Sequence, residues 1–293
     1  MQKSFGISLW GLIVVSFVVS GCTEVIQIDF PDADQFLVVD GFISDEQTKH
    51  QVRLNRSASL NNGQGRAETG AQVSIQDELG NIYDLDETSP GLYESRIPFR
   101  GELGRSYQLN ILTQDQKSYI SNPVPLRRTP QIDSVYAIYQ TAELGRPSGI
   151  YFFVDSQDPQ QSTFFYRWEW EETYEILTPF PSVFTWLGGN EVERRGESVG
   201  NCWSSQSSSN ILITSTTNLS EDRVSSFNLH FVSDTSQAMR IKYSFLVRQF
   251  SLSEEGFFYW KNLKEQNEDV SGFFSRQPGN LAGNIRALND SDE

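Results

Sequence analysis

Two histidines, two cysteines and a few closely spaced carboxylates are the side chains that could carry metal, covalent or acid–base chemistry. His50 and His230 lie far apart, each in a strand-like segment. Two histidines and a spare cysteine fall short of a zinc ligand set. A Ser/His/Asp relay would need one of these histidines, and neither sits in a supporting motif. Glu169 and Glu171 share one strand face. That spacing could serve glycoside hydrolysis, but it more commonly marks solvated charge. Asp84, Asp86 and Glu87, and Asp155 with Asp158, offer oxygen ligands without the regular spacing of a calcium loop. The sequence contains no Gly-x-x-x-x-Gly-Lys loop, no Gly-x-Ser-x-Gly elbow and no His-Glu-x-x-His helix. The expectation is a non-enzymatic protein with no catalytic residue, no metal and no cofactor.

Cys22 is different, because its surroundings specify a reaction. Lys3 is followed by an uncharged run from Ile7 to Val19. A membrane-spanning helix needs roughly 20 apolar residues. This run is shorter and has the length of a signal-peptide core. Ser20 and Gly21 then precede Cys22, an arrangement that resembles a bacterial lipobox. Cys22 is therefore expected to begin the mature protein and to carry lipid, each buried CH₂ contributing about 0.8 kcal/mol to membrane attachment. Residues 1–21 read as signal peptide and residues 22–35 as an acidic leader. At ~3.4 Å per residue the leader reaches at most ~45 Å. With Cys22 acylated, Cys202 has no partner within the chain.

The elements that must position any site are strands. The chain is 13% aromatic and has a formal net charge of −15. That charge argues against nucleic acid and against docking on anionic lipid. Apolar–polar alternation with Gly, Asn and Asp turns reads as all-β. Phe36 to Ile43 is nearly continuous in apolar residues and reads as a strand covered on both faces. Gln51–Leu54, Ala71–Gln76, Ile82–Leu85, Leu92–Glu94, Tyr107–Ile111 and Tyr119–Ser121 follow, separated by turns such as Asp77-Glu78-Leu79-Gly80-Asn81. Short strands at this spacing predict an immunoglobulin-like or carboxypeptidase-regulatory-like β-sandwich over 36–127. Three prolines between Pro123 and Pro130 mark a boundary. A second β-rich, sandwich-like domain is expected over 128–293.

In that second half, Phe164, Tyr166, Trp168 and Trp170 alternate with Phe165, Arg167, Glu169 and Glu171. This is a core strand whose aromatics each bury 150–250 Å². Ser251 or Ser253 can cap a helix near 253–266 with Phe257, Trp260 and Leu263 on one stripe. Gly272-Phe273-Phe274 and Gly283-Asn284-Ile285 read as further strands or turns. The stretch from Thr178 to Asn210 is the least regular. It combines prolines with Phe180, Phe184, Trp186, Arg194, Arg195 and Trp203, and long irregular segments of this kind are commonly functional. Trp and Arg are enriched among interface hot spots. These six residues are the candidate binding residues.

The order of motifs resembles that of Bacteroidota outer-membrane lipoproteins in a domain-of-unknown-function family. The genes of that family commonly neighbour TonB-dependent receptors of the SusC type. The likeness runs through Cys22 with Glu24, Phe36-Leu37-Val38-Val39-Asp40-Gly41, Gly70-Ala71-x-Val73, Pro90-Gly91-Leu92-Tyr93 and Gly104-x-x-Tyr107-x-Leu109. It continues through Phe165-Tyr166-Arg167-Trp168, Asn201-Cys202-Trp203, Tyr259-Trp260 and Gly283-Asn284-Ile285. It implies no catalytic residues. It implies an outer-membrane protein, lipid-anchored through Cys22 and facing the cell surface. Its expected partner is an outer-membrane β-barrel of the TonB-dependent transporter class, where the protein would aid ligand capture or capping. A subunit of a barrel-assembly or secretion machine, and a glycan-binding surface module, are the alternatives. The resemblance also makes Ser134, in Asp133-Ser134-Val135, a candidate for O-glycosylation.

Overall fold

A computed structural model describes residues 36–58, 65–197, 199–268 and 283–288. Cys22, the signal segment, the leader and Gly272-Phe273-Phe274 lie outside the described residues.

Strands β1 (Leu37–Gly41), β2 (Gln51–Arg56), β3 (Arg66–Ala67), β4 (Gln72–Asp77), β5 (Ile82–Ser89), β6 (Leu92–Ser95), β7 (Ser106–Leu112), β8 (Ser118–Ser121) and β9 (Val124–Pro125) build the first sheet. Hydrogen bonding runs unbroken in the order β1-β2-β6-β5-β4-β7-β8, with β3 on β2 and β9 on β7. Alternate side chains turn inward, so Val52, Leu54, Val73, Ile75, Leu85, Tyr93, Phe99, Tyr107 and Ile111 meet in one core. Polar groups inside it are paired, as burial demands. The Tyr93 hydroxyl donates to the Glu68 carbonyl (2.9 Å) and accepts from the Ala71 N–H (3.0 Å). Arg56 Nε meets Glu68 Oε2 at 2.6 Å, both side chains buried. Gly91 is held at φ 73°, and a Cβ there would lie 2.6 Å from the Leu54 carbonyl oxygen. The Pro-Gly turn therefore requires glycine at this position.

The run from Phe36 to Ile43 does not become a strand covered on both faces. Among the described residues β1 pairs only with β2, and Phe36, Val38 and Phe42 stay exposed. An apolar run alone cannot distinguish an edge strand from a central one.

The second half has a three-stranded sheet of β10 (Ile132–Gln140), β11 (Gly149–Gln157) and β17 (Arg223–Ser233), ordered β10-β11-β17. Its long strand β12 (Phe165–Leu177) belongs to another sheet. After β12 the chain forms a separate hairpin of β13 (Phe184–Gly188) and β14 (Glu191–Arg194). β15 (Asn201–Ser207) and β16 (Leu212–Ser215) pair with β12 at different ends, and β18 (Tyr243–Ser251) pairs with it as well. The predicted alternation in β12 holds: Tyr166, Trp168 and Trp170 are buried and pack with Val154, Val224 and Leu229 of the facing sheet. The fold is all-β and sandwich-like, with a single helix among the described residues.

That helix, α1 (Glu254–Glu268), begins where the Ser253 hydroxyl accepts the Gly256 N–H at 3.0 Å. Glu254 and Glu255 in its first turn suit the helix dipole. It packs against the outer face of β12 at the start of that strand. Phe257 packs tilted against Phe165 at 4.9 Å, and the Arg167 guanidinium lies 4.0 Å from the Trp260 ring. β19 (Ile285–Ala287) does not extend the second half. It returns to the first sheet and pairs antiparallel with β8, placing Ile285 opposite Ser121. No described helix is long and apolar enough to cross a membrane.

Candidate functional site

About half of the stretch read as irregular from Thr178 to Asn210 is strand, in β13, β14 and β15. β12 ends at Leu177, and the chain leaves the sheet through Pro179, Phe180 and Pro181. It returns as β15, and the Thr178 N–H donates to the Gly200 carbonyl (2.7 Å), clamping the base of the excursion. What projects between these points is the β13–β14 hairpin. Gly188 and Gly189 adopt φ 114° and 57° at its turn, a region glycine enters without strain.

Register decides which candidate residues meet. Phe184 stands opposite Arg194, and Trp186 opposite Val192. Cross-strand partners point to the same side, so Phe184, Trp186, Val192 and Arg194 line one face of the hairpin. The Trp186 indole donates to the Gly189 carbonyl at 3.0 Å. Its ring is nonetheless 70% exposed, and Phe180 on the approach is 90% exposed. Arg195 does not join this face. Its backbone N–H bonds the Val183 carbonyl, and its Nε bonds the Phe184 carbonyl at 3.2 Å, bracing the hairpin base. Among the described residues β13 and β14 pair only with each other, so this apolar face has no core of its own.

Trp203 lies elsewhere. It sits on β15 opposite Glu175 of β12 and is 58% exposed. Lys242 Nζ lies 6.0 Å from its ring and 3.8 Å from Glu175 Oε2, while Asn201 donates to Glu175 Oε1 at 2.7 Å. Cys202, beside it, is exposed with a free thiol. The Ser134 hydroxyl lies half-buried in β10 and donates to Asp155 Oδ2 at 3.2 Å.

The titratable groups are built into packing. His230 Nε2 lies 3.0 Å from Glu172 Oε2, and the Tyr243 hydroxyl donates to the same oxygen at 2.5 Å. The Trp170 ring packs tilted against the imidazole at 3.9 Å. Burial lowers the His230 pKa, and the Glu172 carboxylate partly opposes that shift. His50 Nε2 lies 3.0 Å from the Phe99 carbonyl oxygen, and burial lowers its pKa too. Glu169 is engaged by Arg167, and Glu171 lies 3.6 Å from Arg248. Asp158 accepts the backbone N–H groups of Gln160, Ser162 and Thr163. No group of three or more His, Cys, Asp or Glu among the described residues is placed to hold a metal ion.

One concavity escaped the sequence reading. A cleft of about 930 Å³ opens between the first sheet and β18, lined among others by Val39, Phe42, Leu126, Arg127, Arg248 and Phe250. Phe42 and Phe250 meet edge to face across it at 5.8 Å. Its walls come from opposite ends of the chain, so no local pattern announces it.

A search of curated proteins finds no match. A family model described as a domain of unknown function, DUF4249, matches residues 23–293. The chain, with its two strand-rich halves and projecting aromatic hairpin, belongs to the DUF4249 family.

Proposed function

We propose that the protein is a non-enzymatic outer-membrane lipoprotein that docks on an outer-membrane β-barrel, of the TonB-dependent transporter class, and aids ligand capture or capping. The observation that carries this reading is the β13–β14 hairpin, which holds Phe184, Trp186 and Val192 in solvent on one face. Exposed apolar surface of this kind marks interaction sites. Trp and Arg, both present on that face, are preferred anchors at protein interfaces.

Two sequence features support the membrane setting. The lipobox-like segment ending at Cys22 supplies an anchor, and the short leader keeps the first sheet near the bilayer. The likeness to Bacteroidota lipoproteins encoded beside SusC-type receptors supports the partner class and a location on the cell surface.

Affinity purification of the full chain from detergent-solubilised outer membranes tests the reading. The expected result is co-purification of a TonB-dependent barrel, lost in a Phe184→Ala/Trp186→Ala variant that still accumulates normally. Recovery of the protein alone overturns it. Recovery with a barrel-assembly component would reassign it to an accessory subunit of that machine. Protease shaving of intact cells tests the surface location, and full protection would exclude it.

A further inference from the structure

β10 is the outer strand of its sheet. It pairs with β11 from Ile132 to Gln140, and among the described residues no backbone hydrogen bond reaches its other edge. Exposed edges are normally guarded by lysine, proline, an inward charge or a bulge. From Ser134 to Gln140 the strand reads Ser-Val-Tyr-Ala-Ile-Tyr-Gln, with no charge and no proline. Its one register shift falls earlier, between Ile132 and Ser134. Both faces expose apolar surface. Val135 (42%) and Tyr139 (58%) share the side of Val154 and Ile150, their partners on β11, while Ile138 (44%) shares the opposite side with Tyr151.

The strand's own sequence complements this edge. Run antiparallel about Ala137, Val135 faces Tyr139 of the second copy, Tyr136 faces Ile138, and Ala137 faces itself. Each opposition joins residues on the same side of the sheet. Aromatic against β-branched is among the favourable cross-strand pairs. Charge permits it as well. In a chain of net charge −15 most self-contacts would oppose like charges. Here only Asp133 is charged, and it would lie opposite Thr141. The outer side already carries adjoining aromatics, Tyr151 beside Phe231 at 4.7 Å and Tyr136 on Phe153 at 5.6 Å. Pairing about Ala137 would continue that row through Ile138 to Tyr136 of the second copy.

We propose that two copies of this chain associate through β10, antiparallel and with the symmetry axis at Ala137, joining their two sheets into one. Such an interface is isologous, the commonest symmetric arrangement. It uses a different surface from the hairpin and stands independently of the docking reading.

The test uses the full chain in detergent with Cys202→Ser. Opposed Cα atoms in an antiparallel pair lie ~4.5–5.5 Å apart, within the ~4.4–6.8 Å that a disulfide bridges. Ala137→Cys should therefore give a covalent dimer under mild oxidation. Val135→Cys alone should give no covalent dimer, because its two copies would be offset by about 13 Å along the strands. Combining Val135→Cys with Tyr139→Cys should restore the dimer. Adding Ile138→Lys to Ala137→Cys should cut the dimer yield roughly tenfold with an unchanged far-UV circular dichroism spectrum. A folded Ala137→Cys protein that remains monomeric overturns the proposal. So does cross-linking at Val135→Cys but not at Ala137→Cys, or capture of a different polypeptide by Ala137→Cys.

Discussion

Two hairpins in this molecule share local chemistry and differ in everything around it. β4–β5 and β13–β14 each alternate apolar and polar residues around a glycine-bearing turn. β4 is flanked by β5 and β7. Its Val73 and Ile75 are buried, and its turn is fastened by Asp77, which accepts the N–H groups of Leu79 (3.0 Å) and Asn81 (2.8 Å) and meets Arg105 at 3.0 Å. Among the described residues β13–β14 has no third strand, and its aromatics face solvent. Alternation says only that one side of a strand is apolar. Neighbouring strands decide whether that side becomes core or contact surface.

The largest expected effect probes the packed hairpin. Ile75→Ala should cost about 2–5 kcal/mol of stability, the usual range for truncating a buried large aliphatic side chain, read as a lower urea midpoint. If it behaves like a surface change, the contrast between the hairpins collapses. A smaller loss is expected for Asp77→Ala, which strips the turn of its acceptor. The hydrogen bonds from Asn81 and Leu79, together with Arg105, outweigh burial and hold the Asp77 pKa below its ordinary value. Its contribution should therefore be present at neutral pH and fade as pH falls through that lowered value. Thermal melts of wild type and variant should then converge in strong acid.

The two histidines, His50 buried and His230 half-buried, sharpen the comparison between the two cores. Burial lowers the pKa of both His50 and His230. Below about pH 6.5 the unfolded chain binds protons more readily than the folded one, so stability falls as pH drops through that range. The urea midpoint should decline between roughly pH 7 and pH 5, and His230→Gln should flatten the decline. A flat wild-type profile would refute this. The smallest effect on stability belongs to Trp186→Ala, within about 0.5 kcal/mol as for surface positions without special contacts. A large loss would mean the projecting hairpin is packed after all.

Much of the strand content was legible because it rests on local pattern. Tyr166, Trp168 and Trp170 announced β12, the Asp77–Asn81 turn announced its hairpin, and the pair Ser251 and Ser253 announced the start of α1, which Ser253 caps. Long-range pairing was less so. Nothing in Asn201 to Ser207, a serine-rich stretch, signals a strand against the far end of β12. The apolar run at Phe36 gave no sign that it would lie at an edge. Of the six candidate binding residues, sequence proximity grouped Trp203 and Arg195 with Phe184, Trp186 and Arg194. Register separates them, because facing depends on which residues pair rather than on how near they lie in the chain.

The return of Ile285 to Ser121 has a bearing on synthesis. The first sheet emerges early, yet the strand beside β8 is supplied only after the whole second half has been made. Until then β8 lacks the neighbour that covers its outer edge, and the nascent chain carries an unfinished sheet through most of translation. Closing this clasp links the beginning and end of the described chain, so pulling on either half would load the other.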